Sequence, residues 1–318
     1  MKRFLKRLAI GVAWFLVLGT ATVAVAVVVR EDRRFDAPYP DIHASMDPAV
    51  IARGRYLVTG PAYCTACHGQ LDPASRSPVL ETEPHLAGGL ALHLPIGTIY
   101  ARNITPDKAT GIGTYTDPEI ARVLRYGVDP SGRVTMPFMP FTDMSDDDLA
   151  AIVSYLRSQP PIDHPVPASN YNMRGRAARA FLIEPRGPTG PIRAHVGRGP
   201  TVEYGQYLAN SVANCGGCHT KSNRRTGAAE GVSFAGGSTV DSRTSPGTKF
   251  VTPNLTPDPK TGHIYAWSED VFVARFRTAV PTASPMPWGN FKNLSEDDLR
   301  ALYRYLRSLP PAKHGQEL

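Results

Sequence analysis

The sequence predicts an all-α protein in which one N-terminal transmembrane helix precedes two tandem domains with long loops. Three observations support this fold class: an apolar N-terminal segment, a long internal repeat, and amphipathic helix patterns that occur in both copies of the repeat. The chain contains 28 glycines and 30 prolines among 318 residues. That share indicates many loops but stays below the roughly 25–30% typical of disordered chains.

The N-terminal segment from Leu8 to Val29 carries no charge. As a helix it would be about 33 Å long, enough to cross a hydrocarbon core of about 30 Å. The basic flank MKRFLKR precedes it, so the positive-inside rule predicts a cytoplasmic N-terminus and export of the remaining chain. Residues 1–34 are therefore interpreted as a flank and a membrane anchor. A cleaved signal peptide is the alternative, because Ala24–Ala26 has the small-x-small form of a cleavage site.

The rest of the chain repeats itself. The stretch GRYLVTGPAYCTACH, which begins at Gly54, returns as GQYLANSVANCGGCH at Gly205, and NITPD at Asn103 returns as NLTPD at Asn254. Both pairs have the same spacing, and MSDDDL and LSEDDL follow at nearly that spacing. Two copies of about a hundred residues predict a duplicated domain. We assign residues 45–161 to domain 1, 162–199 to a connector and 200–312 to domain 2.

Each copy contains the signals of a C-terminal helix. Ser145 and Ser295 are predicted N-caps, with acidic residues in the first turn, an apolar stripe after them and a proline pair at the end. Further helices are predicted before each cysteine motif and over Thr116–Gly127 and Ser268–Ala279. A short helix is also expected within the connector, whereas strand signals are weak.

The positive charge of the chain lies in two segments. The net charge is +7: residues 1–34 carry +5, residues 162–200 carry +4, and the remaining chain carries −2. The remaining chain is slightly acidic and shows no basic face interleaved with aromatic residues. Nucleic-acid binding is therefore not expected.

Each copy carries one Cys-x-x-Cys-His unit, and the two units contain every cysteine in the chain. Their members are Cys64, Cys67, His68, Cys215, Cys218 and His219. A zinc site within one copy would need a fourth ligand, and a disulfide would leave the histidine unexplained. Covalent haem accounts for all three residues, since two thiols form thioethers and the next histidine binds the iron. The sequence therefore predicts two covalently bound haem c groups, with His68 and His219 as axial ligands.

The second axial ligand is expected to be a methionine, which favours electron transfer. In the second copy this is Met286, nine residues before Ser295. In the first copy Met136 has the same spacing from Ser145, whereas Met139 lies six residues before it, and the residues alone leave both open. Three histidines are alternative ligands and are otherwise expected in exposed loops: His85, His93 and His263.

With its two Cys-x-x-Cys-His units, its NITPD and NLTPD loops and its Met-Pro-aromatic stretches, the chain resembles bacterial multi-haem c-type cytochromes. It looks most like the cytochrome c subunits of membrane-associated alcohol and aldehyde dehydrogenases, over most of residues 50–311. In that family the ligand lies in a Tyr-Pro-x-Met-Pro-aromatic pattern. The resemblance implies Met139 in MPFMPF and Met286 in SPMPWG as ligands. Many relatives have three haem domains, whereas this chain has two.

These observations together predict a membrane-anchored dihaem cytochrome c that transfers electrons and catalyses no substrate chemistry. The expected place is the bacterial inner membrane, with both haem domains in the periplasm. A periplasmic or membrane dehydrogenase is the expected donor, and an oxidase, quinone or soluble cytochrome is the expected acceptor. A dihaem enzyme such as a peroxidase is the alternative, and it would need one open iron position with acid–base groups beside it.

Overall fold

Helices dominate the architecture of the computed structural model. The structure describes residues 2–70, 85–139, 141–223, 228–242, 247–278 and 284–318. Helices account for 41% of the chain and strands for 9%. The helical expectation is therefore confirmed for the main architecture, but the description as all-α omitted two small antiparallel sheets.

The elements follow the repeat along the chain. Helices α1 to α6 span Lys2–Arg30, Pro48–Thr59, Thr65–His68, Asp117–Tyr126, Asp146–Ser158 and Met173–Phe181. Helix α7 (Val202–Tyr207) continues as a π-helical turn over Leu208–Val212. Helices α8 to α11 span Cys215–His219, Glu269–Arg277, Trp288–Phe291 and Glu296–Ser308. One sheet joins β1 (Ala91–Leu94), β2 (Gly97–Tyr100) and β3 (Asn170–Tyr171), and the other joins β4 (Thr239–Asp241) and β5 (Lys249–Val251).

The predicted helices are found where the patterns indicated them. Ser145 and Ser295 occupy the N-cap positions of α5 and α11. The Ser295 hydroxyl accepts a hydrogen bond from the Asp298 amide, whereas the Ser145 hydroxyl bonds instead to Asp147 and Tyr207. The predicted helix that ends at Ala279 is α9, and Ala279 itself lies outside the described residues.

Two helix pairs form the frame of the two repeats, α2 with α5 and α7 with α11. Each pair crosses at a glycine of the repeated motif. A Cβ atom at Gly54 would collide with the carbonyl oxygen of Ala151, and one at Gly205 would collide with that of Ala301. Only a residue without a side chain allows the backbones to approach this closely, which explains a glycine at the same place in both copies.

The two repeats meet through a reciprocal contact. The Tyr56 hydroxyl donates to Asp298 Oδ2 at 2.6 Å and accepts from the Ser295 amide at 3.0 Å. At the equivalent positions, the Tyr207 hydroxyl donates to Asp148 Oδ2 at 2.9 Å and accepts from the Ser145 amide. Burial is the largest cause of the raised pKa of both tyrosines. Both hydroxyls therefore stay protonated donors, and the contact follows an approximate two-fold symmetry.

Helix α1 stands apart from this core. It has a mean hydropathy of 2.5 in its most apolar window, and among the described residues it is the one helix long and apolar enough to cross a membrane. A membrane anchor and a signal sequence share these properties. Its last turn nevertheless packs on α6, where Val27 is 3% exposed.

We expect Gly205→Ala to destabilise the protein, because the added methyl group must push α7 away from the backbone of α11. Overpacking of this kind costs about 1–3 kcal/mol or more. Thermal unfolding of the full chain in detergent measures the effect as a lower midpoint temperature.

Gly190→Ala is the matched control, since nothing lies within 4 Å of its added Cβ atom. It should leave the midpoint unchanged. Equal midpoints for Gly205→Ala and Gly190→Ala would contradict the close helix crossing.

Candidate functional site

The first repeat encloses a cavity of about 560 Å³, which we call the first cavity. Its lining includes Cys64, Cys67, His68, Met136 and Met139. The structure therefore brings together every site residue that the sequence predicted for domain 1. The rest of the wall comes from α4, α5 and the loop between them, from the β1–β2 hairpin and the loop that follows it, and from the connector with α6.

The second repeat encloses a cavity of about 310 Å³, the second cavity. Cys215, Cys218, His219 and Met286 line it together with aromatic side chains of α9 and α10. Both volumes fall within the range of about 300–1,000 Å³ in which proteins hold small molecules and cofactors. The four predicted residues of domain 2 are thus grouped around one space as well.

Both histidines are oriented by a backbone carbonyl. His68 Nδ1 lies 2.7 Å from the Arg102 oxygen, and His219 Nδ1 lies 3.0 Å from the Pro253 oxygen. A carbonyl can only accept, so Nδ1 carries the proton and Nε2 keeps its lone pair. Burial lowers the pKa of both imidazoles. Each ring is therefore a neutral donor at Nδ1 and a potential metal ligand at Nε2.

In each repeat, a glycine of the repeated Gly-Gly pair holds the backbone carbonyl of the histidine. The Gly88 amide donates to the His68 carbonyl at 2.9 Å, and the Gly236 amide donates to the His219 carbonyl at 2.7 Å. Both glycines have positive φ angles, of 74° and 72°. Their Cβ positions are blocked by the backbone of the same loop that presents the acceptor carbonyl. This geometry accounts for the repeated LAGG and FAGG sequences.

Two buried asparagines fix the acceptor loops, and sequence reasoning had given them no role. Asn254 Oδ1 accepts from the amide and hydroxyl of Thr256, while its Nδ2 donates to Thr261 Oγ1 and to the Ala312 carbonyl. Asn103 makes the same four bonds at the equivalent positions of the first repeat. Because each asparagine follows the carbonyl that orients the histidine, it holds that carbonyl in place. The repeated N-[IL]-T-P-D motif was the signal that could have indicated this role.

Among the described residues, the four thiols form neither a disulfide nor a group of metal ligands. None of the four cysteines is in a disulfide. Burial raises the pKa of Cys64 and Cys215 to about 12, so neither is a thiolate at neutral pH. Over the part of the chain that the structure describes, no three His, Cys, Asp or Glu side chains converge on a point where they could hold a metal ion. Among the described residues, a Cys-x-x-Cys pair and its histidine therefore do not form the four-ligand set of a structural zinc site.

Each of the two candidate methionine ligands of the first repeat resembles Met286 in some respect. Met139 packs against the hydrophobic core, as Met286 does. Met136 shares the local turn of Met286: the Phe138 amide donates to the Met136 carbonyl at 2.7 Å, and the Trp288 amide donates to the Met286 carbonyl at 2.8 Å. Met136 also keeps the nine-residue spacing to the N-cap of the following helix. Met139 therefore stays a prediction, and the repeat register favours Met136.

Of the three alternative histidine ligands, one lines a described cavity wall and two do not. His263 is part of the wall of the second cavity and packs on the Trp267 ring at 5.3 Å between centroids. His93 lies on β1, with Nδ1 3.2 Å from Thr98 Oγ1, and His85 Nδ1 lies 2.8 Å from Gln70 Oε1. Neither His85 nor His93 is among the residues that line the described part of the first cavity.

Tyr63 belongs to the walls of both cavities, and no other described lining residue does. It precedes Cys64 directly and has a φ angle of 39°. Its ring meets the edge of Phe291, from the second repeat, at 5.7 Å between centroids. Asn290 supports the contact, because its Nδ2 donates to the Thr59 carbonyl at 2.9 Å and to the Thr65 hydroxyl. The sequence did not single out this residue.

The donor sets test whether covalent haem fits these cavities. Each space has two thiols on one wall, a neutral imidazole fixed beside them, and at least one thioether elsewhere in a largely apolar lining. A planar iron cofactor held by two thioether bonds requires this set of groups. The residues present therefore fit the group that the sequence predicts.

The known proteins that are similar to this chain include cytochrome c subunits of dehydrogenases. No family model matches the chain. The chain is 31% identical over 300 residues to the cytochrome c subunit of a quinone alcohol dehydrogenase from Gluconobacter oxydans, which covers 86% of this chain and 57% of that protein. It is 31% identical over 317 residues to the cytochrome c subunit of gluconate 2-dehydrogenase from Pantoea cypripedii, covering 92% and 64%. A dihaem c-type cytochrome of Cereibacter sphaeroides is 27% identical, with 96% and 98% covered. The chain thus spans less than two thirds of the two dehydrogenase subunits.

Proposed function

Because this chain is homologous to the cytochrome c subunits of bacterial dehydrogenases, we propose that it is a membrane-anchored dihaem cytochrome c. It transfers electrons and performs no substrate chemistry itself. The observation that carries the proposal is that a Cys-x-x-Cys-His unit and at least one methionine line each of two cavities. The related subunits are named as cytochrome c subunits of dehydrogenases, which supports the same class for this chain.

In this proposal each repeat holds one haem c. Cys64 and Cys67 form the thioether bonds of the first site, and Cys215 and Cys218 form those of the second. When bound, the haem iron supplies a one-electron couple between Fe(II) and Fe(III).

Groups of the protein orient the histidine ligands and determine the surroundings of the redox couple. The carbonyls of Arg102 and Pro253 keep each imidazole in one tautomer and orientation, and hydrogen bonding at Nδ1 makes Nε2 a stronger ligand. The largely apolar walls would limit the contact of a bound group with water. Met286 would provide the second protein ligand of the iron in the second site. For the first site the sequence prediction is Met139, and the repeat register makes Met136 its competitor.

We propose an inner-membrane location with both repeats in the periplasm, since α1 is long and apolar enough to serve as an anchor. A dehydrogenase is the proposed electron donor, as in the complexes named for the related subunits. A terminal oxidase, the quinone pool or a soluble cytochrome is the proposed acceptor. No role in nucleic-acid binding is proposed.

The axial ligand of the second site is tested by Met286→Leu, which removes the thioether but keeps an apolar side chain of similar volume. We expect one of the two centres to lose the near-infrared absorption of methionine-ligated ferric haem. Its midpoint potential should fall, because methionine ligation raises the potential. Optical redox titration of the full-length protein measures both effects. Met173→Leu, at an exposed methionine, is the control and should change neither.

The same titration distinguishes the two candidates of the first site. Met136→Leu and Met139→Leu are compared, and the variant that removes the absorption of the other centre identifies the ligand. An unchanged spectrum and potential in Met286→Leu would contradict methionine ligation in the second site.

Electron exchange between the two centres is expected to depend on Tyr63, because its side chain lies in the shared wall of the cavities. Tyr63→Leu should slow the redistribution of an electron several-fold after rapid reduction by a flash-generated reductant. Tyr63→Phe keeps the ring and its contact with Phe291 and should remain near the wild-type rate. Midpoint potentials are measured in parallel. They show whether a slower rate comes from weaker electronic coupling between the two centres or from a changed difference between their potentials. Equal rates in Tyr63→Leu and wild type would exclude this role.

A further inference from the structure

The end of α1 is held by α6, the helix of the connector. Val27 of α1 is buried against it, and Arg30 Nε donates to the Ala180 carbonyl at 3.4 Å. Arg33 continues the contact, since it donates to the Ile183 carbonyl and pairs with Glu184 at 3.3 Å. Helix α6 therefore packs beside the last turn of α1, where the apolar segment gives way to charged residues.

Two arginines of α6 fix this arrangement from the other side. Arg176 forms a bidentate pair with Glu31, with Nη2 2.6 Å from Oε1, and Arg179 Nε donates to the Glu31 carbonyl at 3.3 Å. This pairing lowers the pKa of Glu31. The arginines of the connector are thus partly engaged in holding α1, rather than forming only a solvated face. A bidentate geometry makes the junction stiffer than a flexible tether would be.

The level of α6 relative to a bilayer follows from these contacts. The uncharged segment of α1 ends at Val29, and α6 contacts residues from Val27 to Arg33. A helix that spans a hydrocarbon core of about 30 Å puts those residues at its boundary. If α1 crosses the membrane, α6 consequently lies at the depth of the phospholipid headgroups.

The side chains at the end of α6 suit that depth. Leu182 is 77% exposed and Phe181 is 44% exposed, and the Arg30 guanidinium lies 5.6 Å from the centre of the Phe181 ring. Exposed aromatic and aliphatic side chains next to arginines are typical of helices that contact the membrane interface. In water, the same pair would be an unfavourable exposed apolar patch.

We propose that Phe181 and Leu182, at the C-terminal end of α6, insert into the headgroup layer of a phospholipid membrane beside α1. This inference rests on the proposed function, because it requires α1 to be a membrane anchor. The occupant of the surface is lipid, by continuity with the apolar face of α1.

The contact has a consequence for the first cavity. Arg133 and Arg179 line that cavity, and both are held by the residues that follow α1: Arg133 Nη2 lies 2.7 Å from Asp32 Oδ2, and Arg179 binds the Glu31 carbonyl. None of residues 27–33 holds a described lining residue of the second cavity. Through these two arginines, the first cavity is connected to the segment that follows α1.

The test uses the wild-type full chain in phospholipid nanodiscs that contain a lipid with a photoactivated diazirine near its headgroup. Digestion and mass spectrometry then locate the modified residues. We expect modification at the ends of the α1 span and, several-fold above the background, at Phe181 and Leu182. Val251 and Val271, 59% and 50% exposed in the second repeat, are matched aliphatic controls in the same molecule.

The outcomes separate this inference from the proposed function. If α1 is modified but Phe181 and Leu182 react no more than Val271, the surface does not contact lipid and the inference is overturned, while the anchor stands. If α1 is also unmodified, the membrane anchor fails together with the inference. Modification of Phe181 and Leu182 with α1 supports both.

Discussion

The site in each repeat depends on one hydrogen bond, from the histidine Nδ1 to a backbone carbonyl. That bond selects the tautomer, fixes the ring plane and leaves Nε2 directed away from the acceptor. Several sequence features exist to hold the acceptor. Gly88 and Gly236 donate to the backbone carbonyl of the histidine itself. The asparagine after the acceptor ties its loop to the segment after the last helix of its repeat, and a buried threonine completes the network. The same bonds occur in both repeats. The two copies therefore share this hydrogen-bond network as well as the cysteine motif.

The repeats are joined by a nearly symmetric contact, but the two cavities are not equivalent. Tyr56 donates a hydrogen bond to Asp298 and Tyr207 donates one to Asp148, which places the two repeats face to face. In contrast, Tyr63 has Asn214 as its counterpart, and only the tyrosine side of the pair contributes to both cavities. The first cavity is also tied to the end of α1 through arginines, whereas the second is walled by aromatic residues. The two similar sites therefore lie in different surroundings.

Much of this arrangement could be predicted from the sequence, because it depends on local patterns. The period of the repeat, the N-caps Ser145 and Ser295 and the glycines of the helix crossings all have signals within a few residues. The short strands had only weak signals: β1 to β5 contain two to four residues each, and β3 joins β2 from the connector, far along the chain. The tyrosine–aspartate contacts between repeats and the position of Tyr63 are tertiary properties with no local pattern. The choice between Met136 and Met139 was ambiguous for a related reason, since a duplicated Met-Pro-Phe offers two residues with the same local chemistry.

The central claim is that one chain carries two covalently attached haems in two similar sites. The most direct measurement is the intact mass of the full-length protein, isolated from a host that attaches haem to exported proteins and then denatured. The account predicts the mass of the polypeptide plus two haem groups, retained after denaturation because the thioether bonds are covalent. A mass that corresponds to the polypeptide alone, or to a single haem, would contradict it.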